Sequence, residues 1–281
     1  LSYNDLAAKI IIKFCSEEFE ENELKEIVEK SYRCFRSKET VILKKYEDIY
    51  LFELFHGPTL AFKDIALQVI GNMYEKFLLN QKNKINIVVA TSGDTGSAAI
   101  NAIKGRNKLN IFVLHPQNKI SEIQRKLMTT VKENNVFNIA VKGNFDDCQN
   151  LIKSMFIDNE FKNKINMSGV NSINWARIIS QIVYYFYAFF KIEEKGKKIN
   201  FSVPTGNFGD VYAGYISKRM GLSINKLIVA TNRNDILKRV INTGEYKIED
   251  VVETISPSMD IQVASNFERL IFDINSNDDS N

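Results

Sequence analysis

The feature that most constrains the fold of this chain is a regular alternation of short apolar runs with longer helical patterns. Runs rich in β-branched residues are typical of buried strands and cover residues 85–90, 111–115, 136–141, 199–203 and 226–230. Helical patterns separate or follow them at residues 95–104, 121–130, 146–156, 175–191, 208–220 and 234–241. Strands that alternate with helices of this length form parallel sheets with helices on both faces. The expected fold class is therefore α/β.

The segment before this alternation is mainly helical. Helical patterns cover residues 3–14, 21–35 and 60–79, and an apolar segment lies at 49–55. The turn His56-Gly57-Pro58-Thr59 separates that segment from the helix that follows. From residue 256 onward the sequence is polar and has little periodicity, as expected of an end of the chain or of a cut.

Composition and charge are those of an ordinary globular protein. The 281 residues are 44% hydrophobic, which allows a sizeable core, and the length suggests roughly two domains. The 37 basic and 34 acidic residues nearly cancel and are spread along the chain, so we expect no nucleic-acid partner and no membrane-surface partner. The apolar stretch 178–190 is shorter than the ~20 residues of a membrane span, which favours a buried helix.

The cysteines and histidines argue against a disulfide framework and against a metal site. Cys15, Cys34 and Cys148 are odd in number and far apart. His56 and His115 are accompanied by no carboxylates or cysteines at metal-ligand spacing. The first residues also lack the pattern of a secretory signal. We therefore expect a reducing, cytoplasmic setting and no bound metal.

The first candidate site residue is Lys63, near the start of the helical pattern 60–79. A cation is disfavoured in the first turn of a helix, and the neighbours of Lys63 are largely apolar. Both effects favour the neutral amine, which is a nucleophile toward carbonyl groups and forms Schiff bases. The alternative is a lysine whose alkyl chain covers apolar surface while its ammonium reaches water. Position alone favours this alternative.

Two strand-to-helix turns rich in small and polar residues are candidate anion sites, because ligands of parallel sheets bind beyond the carboxyl ends of the strands. In the turn 92–96, hydroxyl groups add donors, whereas Asp94 would repel an anion. The alternative role of Asp94 or Thr95 is to cap the helix that follows. The turn Gly206-Asn207-Phe208-Gly209 also combines small residues with a polar donor before a helix, so it is a candidate anion site for the same reason. It matches neither a nucleotide P-loop nor a dinucleotide fingerprint.

One candidate imine-forming lysine and two candidate anion sites suit an aldehyde cofactor that carries a phosphate, together with a substrate that carries a carboxylate. Pyridoxal 5'-phosphate fits this description. A Ser-His-Asp hydrolase is the weaker hypothesis, because the G-x-S-x-G motif is missing.

Longer segments of the chain resemble the threonine synthase family of fold type II pyridoxal-phosphate enzymes. They run in family order from about residue 45 to 270, most of the chain. These segments are FHGPTLAFKD (55–64), ATSGDTG (90–96), QRKLMTT (124–130), NSINWAR (171–177), PTGNFGD (204–210), ATNRND (230–235) and PSMDI (257–261). Long colinear matches are more specific than a single glycine-rich turn, and they favour the catalytic role of Lys63 over the alternative.

The resemblance implies a tryptophan synthase β-like fold with two α/β domains. It implies an N-terminal helical segment at 1–45, a larger cofactor domain formed by 46–84 and 196–281, and a smaller inserted domain at 85–195. Members of the family continue well beyond the last residue of this chain, and they carry there the hydroxyl residue that faces the pyridine nitrogen. We therefore expect an incomplete chain.

The resemblance also implies the roles of the site residues. Lys63 would hold pyridoxal 5'-phosphate as an imine and move protons. The implied cofactor-binding residues are Phe62, Lys63, Gly206, Asn207, Phe208 and Gly209. The implied substrate-binding residues are Ser92, Gly93, Asp94, Thr95 and Arg177. Arg125 and Lys119 are further candidates for contact with a substrate phosphate, and no metal is implied.

The implied activity is the conversion of O-phospho-L-homoserine and water to L-threonine and phosphate, by a cytoplasmic monomer or homodimer. The alternatives are a threonine-synthase-like phospholyase, a serine or threonine dehydratase, and a non-catalytic remnant that binds anions. Comparing the turnover of O-phosphohomoserine with that of threonine distinguishes an enzyme that acts on a phosphate substrate from a dehydratase.

Overall fold

The computed structural model describes residues 1–192 and 198–275. The chain divides into two compact units, Leu1–Asn174 and Trp175–Asn281. This division differs from the predicted one, in which residues 85–195 form an inserted domain, and the predicted domain arrangement stays a prediction. The two units are described separately below.

The first unit begins with two helices, a hairpin and a long helix. They are α1 (Tyr3–Ile11), α2 (Glu21–Tyr32), β1 (Ile42–Tyr46), β2 (Ile49–Glu53) and α3 (Lys63–Phe77). Ser2 begins α1 by accepting a hydrogen bond from the Asp5 N–H, as expected of a serine N-cap. Strands β1 and β2 are antiparallel, with Ile42 opposite Glu53. The sequence predicted the three helices and missed the strand 42–46, which carries two lysines and has no buried residue.

The rest of the first unit is a parallel sheet with helices. Its strands are β3 (Ile85–Ala90), β4 (Leu109–Pro116), β5 (Val136–Val141) and β6 (Met167–Ser168), in the order β5-β4-β3-β6. Its helices are α4 (Asp94–Ile103), α5 (Glu122–Thr129), α6 (Phe145–Ile157) and α7 (Asn159–Lys164). Each pair of neighbouring strands runs parallel, as the alternating pattern predicts.

The core of this sheet follows the two-residue period of its strands. Val88 and Ala90 pack on one face in a cluster with Cys148 and Ile152 of α6. Residues of the other parity, such as Ile87, project from the opposite face and are fully buried. The sheet is therefore buried on both sides, which explains why its strands read as continuous apolar runs.

The second unit has the same alternation on a smaller scale. Its elements are α8 (Trp175–Lys191), β7 (Ile199–Pro204), α9 (Gly209–Arg219), β8 (Ile224–Ala230), α10 (Ile236–Thr243) and α11 (Phe267–Ile274), with a 3-10 turn at Pro257–Met259. Strands β7 and β8 are parallel, and α9 connects them. Helix α11 lies in the segment after residue 256, where the sequence shows little periodicity. With parallel sheets and flanking helices in both units, the predicted α/β class is confirmed.

Within the described residues, none of the helices combines the length and the apolar character needed to cross a membrane.

Candidate active site

Lys63 is the first residue of α3 and is only 8% exposed. Its Nζ lies 4.6 Å from the centre of the Phe62 ring and 3.1 Å from Asp94 Oδ2. The alternative of a lysine whose ammonium reaches open water is therefore wrong. The amine is instead enclosed between an aromatic ring and a carboxylate, both within the first unit.

The turn before α3 is fixed by Asp64, which is fully buried. Its carboxylate accepts hydrogen bonds from the Thr59 N–H at 2.8 Å and from the Thr59 hydroxyl at 2.7 Å. Burial raises the pKa of Asp64, and the hydrogen bonds from Thr59 oppose that shift. A Cβ at Gly57 would lie 2.5 Å from Asp64, so only glycine allows this close approach. Leu60 in the same turn has a left-handed φ of 61°, which is uncommon for a residue with a side chain.

Asp64 was not singled out by the sequence analysis. Its function in the turn depends on a side chain five residues away, and nothing in the composition of the segment indicates that its carboxylate is buried. Asp64 nevertheless determines the position of Lys63, because it is bonded to the turn and belongs to the first turn of the helix.

The loop after β3 has a backbone conformation that leaves N–H groups available. Gly93 has a φ of 139°, and the Thr91 hydroxyl accepts hydrogen bonds from the N–H groups of Gly93 and Gly96 at 2.9 and 2.8 Å. Neither Asp94 nor Thr95 caps α4, so that alternative is wrong; the Thr91 hydroxyl is the side-chain acceptor in its first turn. The N–H groups of those two residues have no acceptor among the residues that the structure describes. Together they offer two donors to an anion.

Asp94 does not leave a bare negative charge in this loop. Its Oδ2 accepts from the Lys63 amine, and its Oδ1 accepts from the Gln124 side-chain amide. The repulsion of an anion that the sequence predicts is therefore offset by the pairing with Lys63. Gln124 is a second residue that the sequence analysis did not assign to the site; its separation of 30 residues from Asp94 gives no local signal.

In the second unit, the turn 206–209 connects β7 to α9. Phe208 precedes the helix with a left-handed φ of 64°. The Asn207 carbonyl accepts from the Asn266 N–H at 3.0 Å and from the Asn266 side-chain amide at 3.1 Å, which holds the turn in place. The N–H groups of the four residues Gly206, Asn207, Phe208 and Gly209 have no acceptor within the described parts of the chain. Unpaired backbone donors in a strand-to-helix turn are of the kind that binds phosphate.

The glycines of this turn are closely packed. A Cβ at Gly206 would lie 2.8 Å from Ile261 Cδ1, and a Cβ at Gly209 would lie 3.3 Å from both Ile178 Cδ1 and Asn266 Nδ2. A side chain at residue 206 would therefore require the end of the Ile261 side chain to shift.

A half-buried acid, Asp210, follows this turn. The Tyr185 hydroxyl donates to the Asp210 carbonyl at 2.7 Å and to Asp210 Oδ1 at 3.1 Å. Burial raises the pKa of Asp210 to about 6, although the hydrogen bond from Tyr185 opposes the shift. The pKa of Tyr185 itself is raised, chiefly by burial and then by the charge of Asp210.

The candidate residues for a substrate phosphate differ in their exposure. Arg177 in the first turn of α8 is buried, and burial lowers its pKa to about 10. Arg125 and Lys119 are exposed on the first unit. The burial of Arg177 is unusual for a cation and marks it as the strongest of the three, but its role stays a prediction.

Across residues 1–192 and 198–275, no group of three or more His, Cys, Asp or Glu side chains has the arrangement of a metal site. The cysteines Cys15, Cys34 and Cys148 are free thiols.

The chain is similar to a known protein family and to several characterised proteins. A family profile described as "Pyridoxal-phosphate dependent enzyme" matches residues 40–280. The chain is 48% identical to the threonine synthase of Eremothecium gossypii over 97% of its own length and 56% of that protein. It is 46% identical to the threonine synthase of Pseudomonas aeruginosa over 98% of its own length and 59% of that protein.

A solved structure is similar throughout the chain. It is the threonine synthase of Brucella melitensis with bound pyridoxal phosphate, which superposes with a TM-score of 0.91 at 47% identity. The match covers 99% of this chain and 60% of that one. The chain thus spans less than two thirds of the length of each of these relatives.

Proposed function

Since the chain belongs to the pyridoxal-phosphate dependent enzyme family, we propose that it has the function of a threonine synthase, which converts O-phospho-L-homoserine and water to L-threonine and phosphate. The observation that carries this proposal is the buried amine of Lys63, which lies between the Phe62 ring and the Asp94 carboxylate. The high identity to curated threonine synthases along nearly the whole chain supports it.

The residues present fit pyridoxal 5'-phosphate. Lys63 offers an amine removed from bulk water, and Phe62 offers an apolar face beside it. The turn 206–209 offers backbone N–H donors to a phosphate. When bound, the cofactor supplies an electron-accepting ring that stabilises negative charge on the substrate carbon bearing the amino group.

The protein's own residues supply the proton transfers. The Lys63 amine acts as general base and general acid toward the substrate carbons. Asp94 Oδ2, 3.1 Å from Nζ, is placed to accept a proton from the Lys63 ammonium and to return it. This exchange allows Lys63 to change between its neutral and charged forms without contact with bulk water.

Substrate binding is assigned to the loop 92–95 and to Arg177. The N–H groups of Asp94 and Thr95 would bind the substrate carboxylate, with the Ser92 hydroxyl and the open backbone of Gly93 completing the site. Arg177 would bind the substrate phosphate, because a guanidinium that is shielded from water pairs strongly with a phosphate anion.

We also propose a cytoplasmic monomer or homodimer. The free thiols of Cys15, Cys34 and Cys148 support a reducing compartment. Light scattering of the purified chain coupled to size exclusion distinguishes a mass of 32.2 kDa from twice that value.

The test of this function is chemical labelling of Lys63. The purified chain, mixed with pyridoxal phosphate, is expected to show the visible absorption of an imine. Borohydride reduces that imine to a stable amine, and peptide mass spectrometry is expected to locate the label on Lys63. Lys63→Ala removes both the band and the label. Lys13→Ala, a change at an exposed lysine on the first unit, leaves both intact. Recovery of the label on a different lysine overturns the assignment.

Phosphate release then tests the reaction itself. Release from O-phosphohomoserine with formation of threonine supports the proposal. Deamination of threonine instead supports a dehydratase, and labelling of Lys63 without turnover of either compound supports a cofactor-binding, non-catalytic chain.

A further inference from the structure

The Gln124 side chain connects helix α5 to the carboxylate that contacts Lys63. Its Nε2 donates to Asp94 Oδ1, while Asp94 Oδ2 accepts from Lys63 Nζ at 3.1 Å. On the other side, the Ser121 hydroxyl donates to Gln124 Oε1 at 3.1 Å. A series of hydrogen bonds therefore leads from the start of α5 to the amine of Lys63.

Packing holds Gln124 in this position. Helix α5 is largely exposed, and Met128 is its one fully buried side chain. Met128 lies against Gly96, where a Cβ would approach its sulfur to 2.7 Å. A Cβ at Gly93 would overlap the Gln124 amide. Both contacts join α5 to the loop that carries Asp94.

An ordinary capping role does not explain this geometry. Ser121 is the N-cap of α5 and accepts from the Gln124 N–H at 3.3 Å. In a capping box, the side chain of Gln124 would return to the N–H of the N-cap residue. Here its oxygen accepts from the Ser121 hydroxyl, and its amide group is left to donate to Asp94.

We propose that Gln124 is a positioning residue, which holds one oxygen of Asp94 so that the other oxygen faces the amine of Lys63. This inference rests on the proposed function, in which that amine moves protons. Asp94 is the acceptor on α4, and the buried Asp64 also interacts with the charge of Lys63. Since Asp64 is bonded to Thr59, an effect of Gln124 on Lys63 passes through Asp94.

The test is the pH titration of Lys63 in the full chain without cofactor. Trinitrobenzenesulfonate modifies neutral amines, and peptide mass spectrometry reports the rate of modification at Lys63. Gln124→Leu removes the hydrogen bond that holds Asp94 against Lys63. We expect the Asp94 carboxylate to move away from the amine, which lowers the midpoint of the Lys63 titration by up to about one pH unit. Gln124→Glu keeps a favourable helix start after Ser121 but adds a negative charge, so it raises the midpoint.

A double-mutant cycle shows whether the effect passes through Asp94. Asp94→Ala lowers the midpoint, and Gln124→Leu added to it produces no further shift. Gln117→Leu makes the same chemical change at an exposed residue and leaves the titration unchanged.

The proposal is overturned if Gln124→Leu leaves the midpoint in place or raises it, if both Gln124 variants shift it in one direction, or if the shift persists in the Asp94→Ala background. These readouts do not involve turnover. Absence of the borohydride label on Lys63 would contradict the proposed function. A Gln124→Leu shift that persists in the Asp94→Ala background would contradict only the role of Gln124.

Discussion

At the scale of single residues, buried and half-buried polar side chains place the reactive groups. Asp64 joins the turn 57–62 to the first turn of α3, and Gln124 joins α5 to the loop of Asp94. Both have specific partners at the positions where burial would otherwise be costly. Lys63 is therefore held through its neighbours on two sides.

We predict that Asp64→Ala lowers the free energy of unfolding by about 2 kcal/mol, because it leaves the Thr59 N–H and hydroxyl without their charged acceptor. Urea unfolding measures the loss. The variant should also reduce borohydride labelling of Lys63, since the turn that positions the lysine is loosened. Asp48→Ala, at an exposed acid in the same unit, serves as the control. Equal stability of the two variants would contradict the role given to Asp64.

The sequence predicted the site only where the reactive residue types were adjacent to recognisable turns. Lys63 and the two glycine-containing turns were found in this way. Asp64 and Gln124 were missed because their roles depend on contacts across the fold. The pairing of Lys63 with Asp94, 31 residues away, was missed for the same reason and changed the expected repulsion of anions into a neutralised pair.

At the scale of elements, the length and period of a segment determined whether it could be predicted. The buried strands 85–90 and 136–141 and the helix 175–191 agree with the structure residue for residue. The short elements Asn159–Lys164 and Met167–Ser168 were missed because they are too short to show a period. Helix α11 was missed because its eight residues lie within a polar region.

The junction of α4, β4 and β5 depends on one amide. Asn135 donates to the carbonyls of Ile103, Arg106 and Leu109 at 3.0, 3.2 and 2.7 Å. Its oxygen accepts from the Gly105 N–H at 2.9 Å. These carbonyls include those at the end of α4, which lack partners within the helix.

We predict that Asn135→Asp, a change of nearly equal size, destabilises the chain by about 1–3 kcal/mol. The variant replaces the donor with an oxygen that faces the carbonyl groups, and those acceptors lose their partner. Thermal and urea unfolding measure the change. Asn134→Asp introduces the same charge at the exposed neighbour and should have little effect. Similar losses in the two variants would show that added charge, and not the lost donor, is responsible.

At the scale of the whole molecule, the near balance of 37 basic and 34 acidic residues leaves little overall charge repulsion. The pH dependence of stability is then governed by individual buried groups. Alternation along the chain fixed the α/β class, but it carries no information on how strands from distant segments are grouped. For that reason the predicted domain boundaries could not be derived from the pattern alone.

Asp210 gives the clearest pH dependence. Its pKa of about 6 in the folded protein lies above the ordinary value of 3.8, so the folded state binds this proton more tightly than the unfolded state. By linkage, the free energy of unfolding falls as pH rises from about 4 to about 6. Because the carboxylate is partly exposed, we expect a decrease of about 2 kcal/mol, less than the pKa difference alone would give.

Asp210→Asn is expected to remove this decrease, because the amide keeps an acceptor for the Tyr185 hydroxyl and cannot ionise. Urea unfolding of both proteins at intervals between pH 4 and 7 measures the difference. Asp250→Asn, at an exposed acid of the second unit, should follow the wild type across the same range. If stability instead rises with pH across this window, and to the same extent in the wild type and in Asp210→Asn, then Asp210 titrates as an ordinary surface acid. Other carboxylates would then control the response to pH.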